Sequence, residues 1–310
     1  MLPLDGRAAR VRFLFPLLLG AAAAVAALSL GPGGPPAGSA ADRFVAGQRS
    51  TTRTPVGREA AAALRERAAA HRRAIGVDAV ASVTVERVED RFAGLTYDEV
   101  VDRNGRGQRL ALQRFDLAGR LLAAVRFGGH NPKRLAVVDA AGARSAAERH
   151  ARALDLRPVD TARVRRGAAD EWVVEWPRLV DGVPVPGDGV VVRTWADGTL
   201  HTAVRHDRPL AERPDRLIAV GEARRLAGAR LAGWFDPRNA GEWQIDGASL
   251  AWVAPNDAFE PAGPDAPARV LRLAWVVRVA TRGTLAEAIR GLELFLDAGD
   301  GRLLGGDVLR

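Results

Sequence analysis

The chain has 310 residues, a formal net charge of +8 and a hydrophobic fraction of 47%. That is enough to bury a core in one large domain or in two or three small ones, and it excludes a disordered chain. The absence of cysteine excludes disulfides, thiol catalysis, Cys-based zinc sites and a lipidated N-terminal cysteine. An exported form must hold its fold by packing alone.

The positive charge does not by itself mark a nucleic-acid binder. Lys133 is the sole lysine, Tyr97 the sole tyrosine and Met1 the sole methionine, while Ala, Gly, Arg and Val are plentiful. That is the codon choice of a GC-rich genome. The arginines alternate with acids, as in Arg65-Glu66-Arg67 and Glu86-Arg87-Val88-Glu89-Asp90, which describes a solvated surface of mixed sign. No nucleic-acid partner is expected.

Arg7, Arg10 and Arg12 precede an uncharged run from Phe13 to Leu30. A Gly/Pro break at Gly31–Pro36 and the small residues Ala37-Gly38-Ser39-Ala40-Ala41 follow. Positive flank, apolar run and small residues are the parts of a secretory signal. As a helix the run would span about 27 Å, close to the hydrocarbon thickness of a bilayer. Residues 1–41 are therefore expected to be either a cleaved signal peptide or a single retained membrane anchor. Both readings place the rest of the chain outside the cytoplasm, in the cell envelope or secreted. Residues 42–57 are polar and read as a linker.

Three units of one loose plan follow, at 58–142, 143–212 and 213–310. The first opens with an Ala/Glu/Arg-rich helix over Arg58–Ile75. Strands read at Val80–Val88, Arg109–Phe115 and Leu121–Phe127, the last two joined by the turn Asp116-Leu117-Ala118-Gly119. In the second unit, Ser145-Ala146-Ala147-Glu148 reads as a capping box for a helix running to about Leu154. Its strands read at Glu171–Pro177, Gly189–Trp195 and Thr199–Arg205, with turns at Asp181-Gly182-Val183-Pro184 and Ala196-Asp197-Gly198. Asp-Gly between alternating strands is a hairpin signal, because its two central residues take positive φ.

The third unit opens with a helix over Val220–Ala232, apolar along one stripe at Val220, Ala223, Leu226, Ala227 and Leu231. Strands read at Ser249–Val253, Val270–Val279, Leu292–Leu296 and Arg302–Leu304. The segment Leu-Ala-Trp-Val occurs twice, at Leu250–Val253 and Leu273–Val276. An Asp…Gly turn near the end of each unit suggests repetition, although such turns also recur in any protein built of hairpins. The expected fold class is α+β, with antiparallel sheets each covered on one face by a helix.

The strand Arg272–Val279 centred on Trp275, followed by Leu292–Asp297 and the turn Ala298-Gly299-Asp300-Gly301, resembles the PepSY and thermolysin-type peptidase-propeptide families. Val180-Asp181-Gly182-Val183-Pro184-Val185, the Gly221-Glu222-Ala223 helix start and Asp197-Gly198 fall in the order those families show. The resemblance covers roughly residues 145–310, and residues 58–142 join it by analogy. It implies two to three PepSY/cystatin-like units in tandem, of a kind that chaperone or inhibit a peptidase or sit in the envelope with unknown ligands. The chain is expected to stand alone, without a peptidase domain.

Motifs for chemistry are absent from the sequence. His71, His130, His150, His201 and His206 include no pair one helical turn apart with an adjacent glutamate, so no zinc-protease site is expected and all five read as surface or loop residues. His201 and His206, an odd number apart on a strand, point to opposite faces. Ser82, Ser145 and Ser249 lack a nucleophile-elbow context. Asp297 and Asp300 lack the further oxygen ligands and closing glutamate of a calcium loop. No catalytic residue, cofactor or metal is expected.

All seven tryptophans lie in the second half. Trp172 and Trp176, an even number apart, share a strand face. Trp172, Trp176, Trp195, Trp252 and Trp275 read either as core under a helix or as a partly exposed groove for a peptide, assisted by a strand edge. The expected function is an exported, non-enzymatic module that binds and restrains a peptidase or peptide. The alternative is a structural envelope protein whose arginines meet anionic polymers or lipids.

Overall fold

The computed structural model describes residues 51–90, 95–128, 138–158, 161–167, 170–235, 239, 241–256, 259 and 270–309. The expected signal or anchor at 1–41, the first part of the linker, His130 and Lys133 lie outside them. Among the described residues, no helix is long and apolar enough to cross a membrane.

The fold is α+β, as the alternating patterns indicate. Strand β1 (Thr51–Pro55) and helix α1 (Arg58–Ile75) are followed by the meander β2 (Ser82–Asp90), β3 (Leu95–Arg103), β4 (Arg109–Phe115) and β5 (Leu121–Arg126). Helix α2 (Ala140–Ala153) leads into β6 (Arg163–Arg166), β7 (Glu171–Val180), β8 (Val183–Trp195) and β9 (Leu200–His206). Helix α3 (Val220–Trp234) leads into β10 (Trp243–Val253) and β11 (Arg272–Thr281), then the short α4 (Gly283–Ala288), β12 (Gly291–Asp297) and β13 (Leu303–Leu309). Each of the three units is thus a helix followed by four antiparallel strands in sequential order.

The first two units are halves of one body. Their last strands, β5 and β9, pair antiparallel through Ala123↔Val204, Ala124↔Ala203 and Val125↔Thr202. The result is one nine-stranded sheet in the order β1-β2-β3-β4-β5-β9-β8-β7-β6. A single core spans the seam: Leu64, Ala68 and Ile75 of α1 and Ala147 and Ala151 of α2 bury against Phe115, Ala124, Val192 and Ala203. The alanines let both helices lie close to each other and to the sheet. The third unit forms a separate four-stranded sheet, β10-β11-β12-β13, with Ala223, Ala227 and Leu231 of α3 on Val277, Leu292 and Leu294. It docks on the far end of the β7–β8 hairpin, where Val185 packs with Trp252, Leu271 and Leu273.

Local chemistry sets the ends of these elements. Gly76, at φ 72°, closes α1 by donating to Arg72 and Arg73 carbonyls, in the left-handed position that glycine takes at no steric cost. The expected capping box at Ser145 and Glu148 is not the start of α2. Asp139 caps the helix instead, accepting from Gly142 N at 2.7 Å, while Ser145 is exposed within the helix and Glu148 pairs with Arg144. The Asp181-Gly182 turn has both φ values positive, 51° and 76°, as a two-residue hairpin requires. At the β8–β9 turn only Gly198 does, because Asp197 serves through its side chain, accepting from Thr199 N and Oγ1. The two Leu-Ala-Trp-Val copies face each other across β10 and β11, with Leu250 opposite Trp275 and Trp252 opposite Leu273.

Three strands lie where the sequence showed none: β1 inside the expected linker, β3 and β6. Strand β3 is hidden by Asp98, Glu99 and Asp102, all buried. Each has an arginine: Arg87 on Asp98, Arg53 and Arg114 on Glu99, Arg72 on Asp102.

Ala124 and Ala203 are fully buried at the seam. Ala124→Leu forces added volume between sheet and helices, and is expected to destabilise the protein by about 1–3 kcal/mol, read as a lower denaturant midpoint.

Candidate functional site

The seam opens into a cleft of about 780 Å³ to which both halves of the large sheet contribute. The first half supplies Arg67, Ala70 and His71 from α1, Phe115 from β4 and the Ala118-Gly119-Arg120 turn. The second supplies Leu154, Asp155 and Arg157 after α2, Trp176 to Leu179 of β7, Gly189 of β8 and Arg205 to Asp207 at the end of β9. The antiparallel β5–β9 pairing causes this, since it sets the β4–β5 turn beside the end of β9.

Five arginines and two histidines face two aspartates in the lining. Some of that charge is neutralised. Arg178 meets Asp207 at 2.9 Å and Asp188 at 3.2 Å, and Arg120 meets Asp116 at 2.7 Å. Arg157 lies in solvent beside Asp155. Among the described residues Arg67 has a backbone partner alone, its Nη1 donating to Gly119 O at 2.6 Å. Arg205 differs from all of these. Its Nε and Nη2 are buried and meet no hydrogen-bond acceptor among the described residues, which is costly for a charged group.

Two histidines are built into the cleft. His71 stacks on Phe115, and its Nδ1 is 2.8 Å from Gln113 Oε1. Because Gln113 Nε2 donates to Ala68 O, its Oε1 is the acceptor and His71 Nδ1 carries the proton. Burial pushes the His206 imidazole below its ordinary value, aided by Arg208 and opposed by Asp188. Gly189 is also required: a Cβ there would lie 2.1 Å from Trp176 O.

The histidines correct a sequence expectation, since they are not simply surface residues. His150 lies between the carbonyls of Ala74 and Gly198, 3.0 Å from each. His201 stacks on Trp195 and meets Glu171 at 2.6 Å. Among the described residues no three His, Cys, Asp or Glu side chains are grouped so as to hold a metal. Asp297 and Asp300 are used in their own turn and strand: Asp297 pairs with Arg272 and accepts from Gly299 N, and Asp300 accepts from Arg302 N.

The five indoles do not form one groove. Trp172, Trp176 and Trp252 are buried, at 7%, 2% and 3% exposure, so the packing of the core uses them. Trp172 donates Nε1–H to Val138 O and carries Arg166 over its ring. Trp275 is half-buried and donates to Ile218 O, and Trp195 is half-buried against His201. Only Trp176 of the five lines the cleft. The cleft's arginines were not singled out in the sequence, because they come from five separate segments and no local spacing joins them.

No family model matches the sequence, and no curated protein matches it. Among solved structures the chain is similar to the Bacillus megaterium YpeB C-terminal domain, at 11% identity and a TM-score of 0.42, over 83% of this chain and 99% of that chain.

The depressed His206 value has a sign that can be checked. As pH falls below the ordinary histidine value, the unfolded chain takes the proton before the folded one, so stability is lost on acidification. His206→Gln removes this contribution. Its unfolding temperature is expected to fall less than that of the parent between about pH 7.5 and pH 5.5.

Proposed function

We propose that the chain is a non-catalytic, PepSY-like binding module that works outside the cytoplasm, and that the seam cleft receives a polypeptide partner, a peptidase or a peptide. The observation that carries this reading is the cleft itself. It joins an apolar wall of Phe115, Leu154 and Trp176 to cations that are not all neutralised, and among the described residues its lining holds no serine, threonine, lysine or tyrosine. Such a surface can orient and hold a ligand but offers little with which to attack one. Exposed Leu179 at the cleft adds apolar area for a partner's side chains.

Three copies of a helix followed by a four-stranded meander, with Trp275 in the second strand of the last copy, support the PepSY-like assignment. The positive flank and apolar run of residues 7–30 support export. The rival reading, a polyanion-binding envelope protein, draws less from the arginines, since many are spent on internal acids such as Asp98, Glu99 and Asp102.

A photoreactive residue in place of Leu179 in the full chain, expressed in its own cells, tests the proposal. A discrete polypeptide adduct from an envelope or secreted fraction is the expected result. The same residue at Leu95, an exposed position on β3, should give none. Equal labelling from both positions, or adducts only with polysaccharide or lipid, would overturn the reading.

A further inference from the structure

The uncompensated charge in the cleft has a defined shape. The Nε and Nη2 of a guanidinium lie on one edge and present two parallel N–H bonds, a match for the two oxygens of a carboxylate. This chain uses that edge repeatedly. Arg72 grips Asp102 through Nε and Nη2 at 3.1 and 2.9 Å, and Arg87 grips Asp98 at 2.8 and 3.1 Å. On the surface Arg225 holds Glu222 in the same way. In Arg205 these same two atoms are the ones without an acceptor.

We propose that Arg205 is the anchor of a carboxylate site within the cleft, and that the carboxylate it takes belongs to a polypeptide. The proposal rests on the reading of the chain as a polypeptide-binding module and names the chemistry of its ligand. Both nitrogens are covered in the unliganded protein, so the long side chain turns its edge toward the cleft as the ligand enters. Loss of an unsatisfied buried charge favours that movement. Arg67, held by the Gly119 carbonyl, supplies a second cation in the same lining.

A single negative charge fits better than a phosphate dianion. The C-terminal end of α2 reaches the cleft at Leu154, and the carbonyls there carry partial negative charge. No helix N-terminus contributes to the lining to cradle a phosphate through backbone N–H groups. The wall of Phe115, Leu154 and Trp176 would face the aliphatic side chains that accompany a peptide carboxylate.

The test uses the full chain and three short peptides, followed by calorimetry: acetyl-trileucine with a free carboxylate, its amide, and an amidated variant with one internal glutamate. The free acid is expected to bind at least tenfold more tightly than the amide. The glutamate peptide separates the two sources, matching the free acid if a side chain suffices and falling below it if the chain terminus is read. Arg205→Leu is expected to abolish the difference between acid and amide. It should also raise the unfolding temperature of the ligand-free protein by about 2 °C or more, because it removes an uncompensated buried charge. Arg205→Lys, which keeps the charge without the edge, should restore only part of the discrimination.

Equal binding of acid and amide overturns the carboxylate site while leaving a polypeptide partner in place. Binding of neither peptide also overturns it, and the crosslinking from position 179 then decides separately whether a polypeptide partner exists. Tighter competition by inorganic phosphate than by acetate overturns the carboxylate assignment. So does an Arg205→Leu protein that is less stable yet discriminates as before, since that is the behaviour of a structural arginine.

Discussion

The pairing of β5 with β9 is the constraint on which the rest of the large body depends. It joins two meanders through their final strands, so the sheet runs inward from each end to a common seam. Only three residue pairs make that junction, and the central one is alanine on alanine. Small side chains there keep the seam shallow, which lets α1 and α2 share one core instead of each covering its own sheet. The same pairing brings the β4–β5 turn to the end of β9, and the cleft is the space left between them.

The sheet's two outer edges are β1 and β6. One is Thr-Thr-Arg-Thr-Pro and the other Arg-Val-Arg-Arg, both largely exposed. Proline and arginine at an edge discourage unwanted strand addition. The arginine-rich composition therefore has work at the edges and in the interior as well as in solvent. Arg72 and Arg87 hold carboxylates on β3 in paired geometry, which neutralises charges the fold has buried. Such pairs contribute little net stability compared with apolar residues of similar size, but removing one partner from a buried pair is costly, on the order of 3–5 kcal/mol. By that measure Arg205, whose buried Nε and Nη2 meet no acceptor among the described residues, is the exception that needs a cause.

Much of the fold could be read from the sequence, and the parts that could not share a physical reason. The helix Arg58–Ile75 and the strand Arg109–Phe115 were readable to the residue, the first from its run of Ala, Glu and Arg and the second from its alternation. Strand β3 was not, since half of its buried positions are filled by carboxylates whose partners lie 11 to 46 residues away. The start of α2 was misread at Ser145 because a capping pattern is local, while the cap in use, Asp139, follows a stretch with no apolar period. For the site, periodicity placed Trp172 and Trp176 on one face but could not say that this face lies under α2. The cleft itself was not legible, since its cations converge only after β5 meets β9.

The three units also differ at the turn that borders the cleft. In each, a glycine closes the turn between the third and fourth strands: Gly119, Gly198 and Gly301, with φ of 76°, 80° and 74°. In each, that glycine approaches the unit's own helix. A Cβ on Gly198 would meet Ala146 of α2 at 3.1 Å, and one on Gly301 would meet Leu226 of α3 at 2.4 Å. These are apolar closures that seal the turn to the helix. In the first unit the neighbour is Arg67, reaching from α1 to the Gly119 carbonyl. A long charged side chain stands there in place of an apolar one, and Arg67 and Gly119 both line the cleft. The scaffold is used three times, and the cleft lies where one copy has a guanidinium in place of a packed apolar contact.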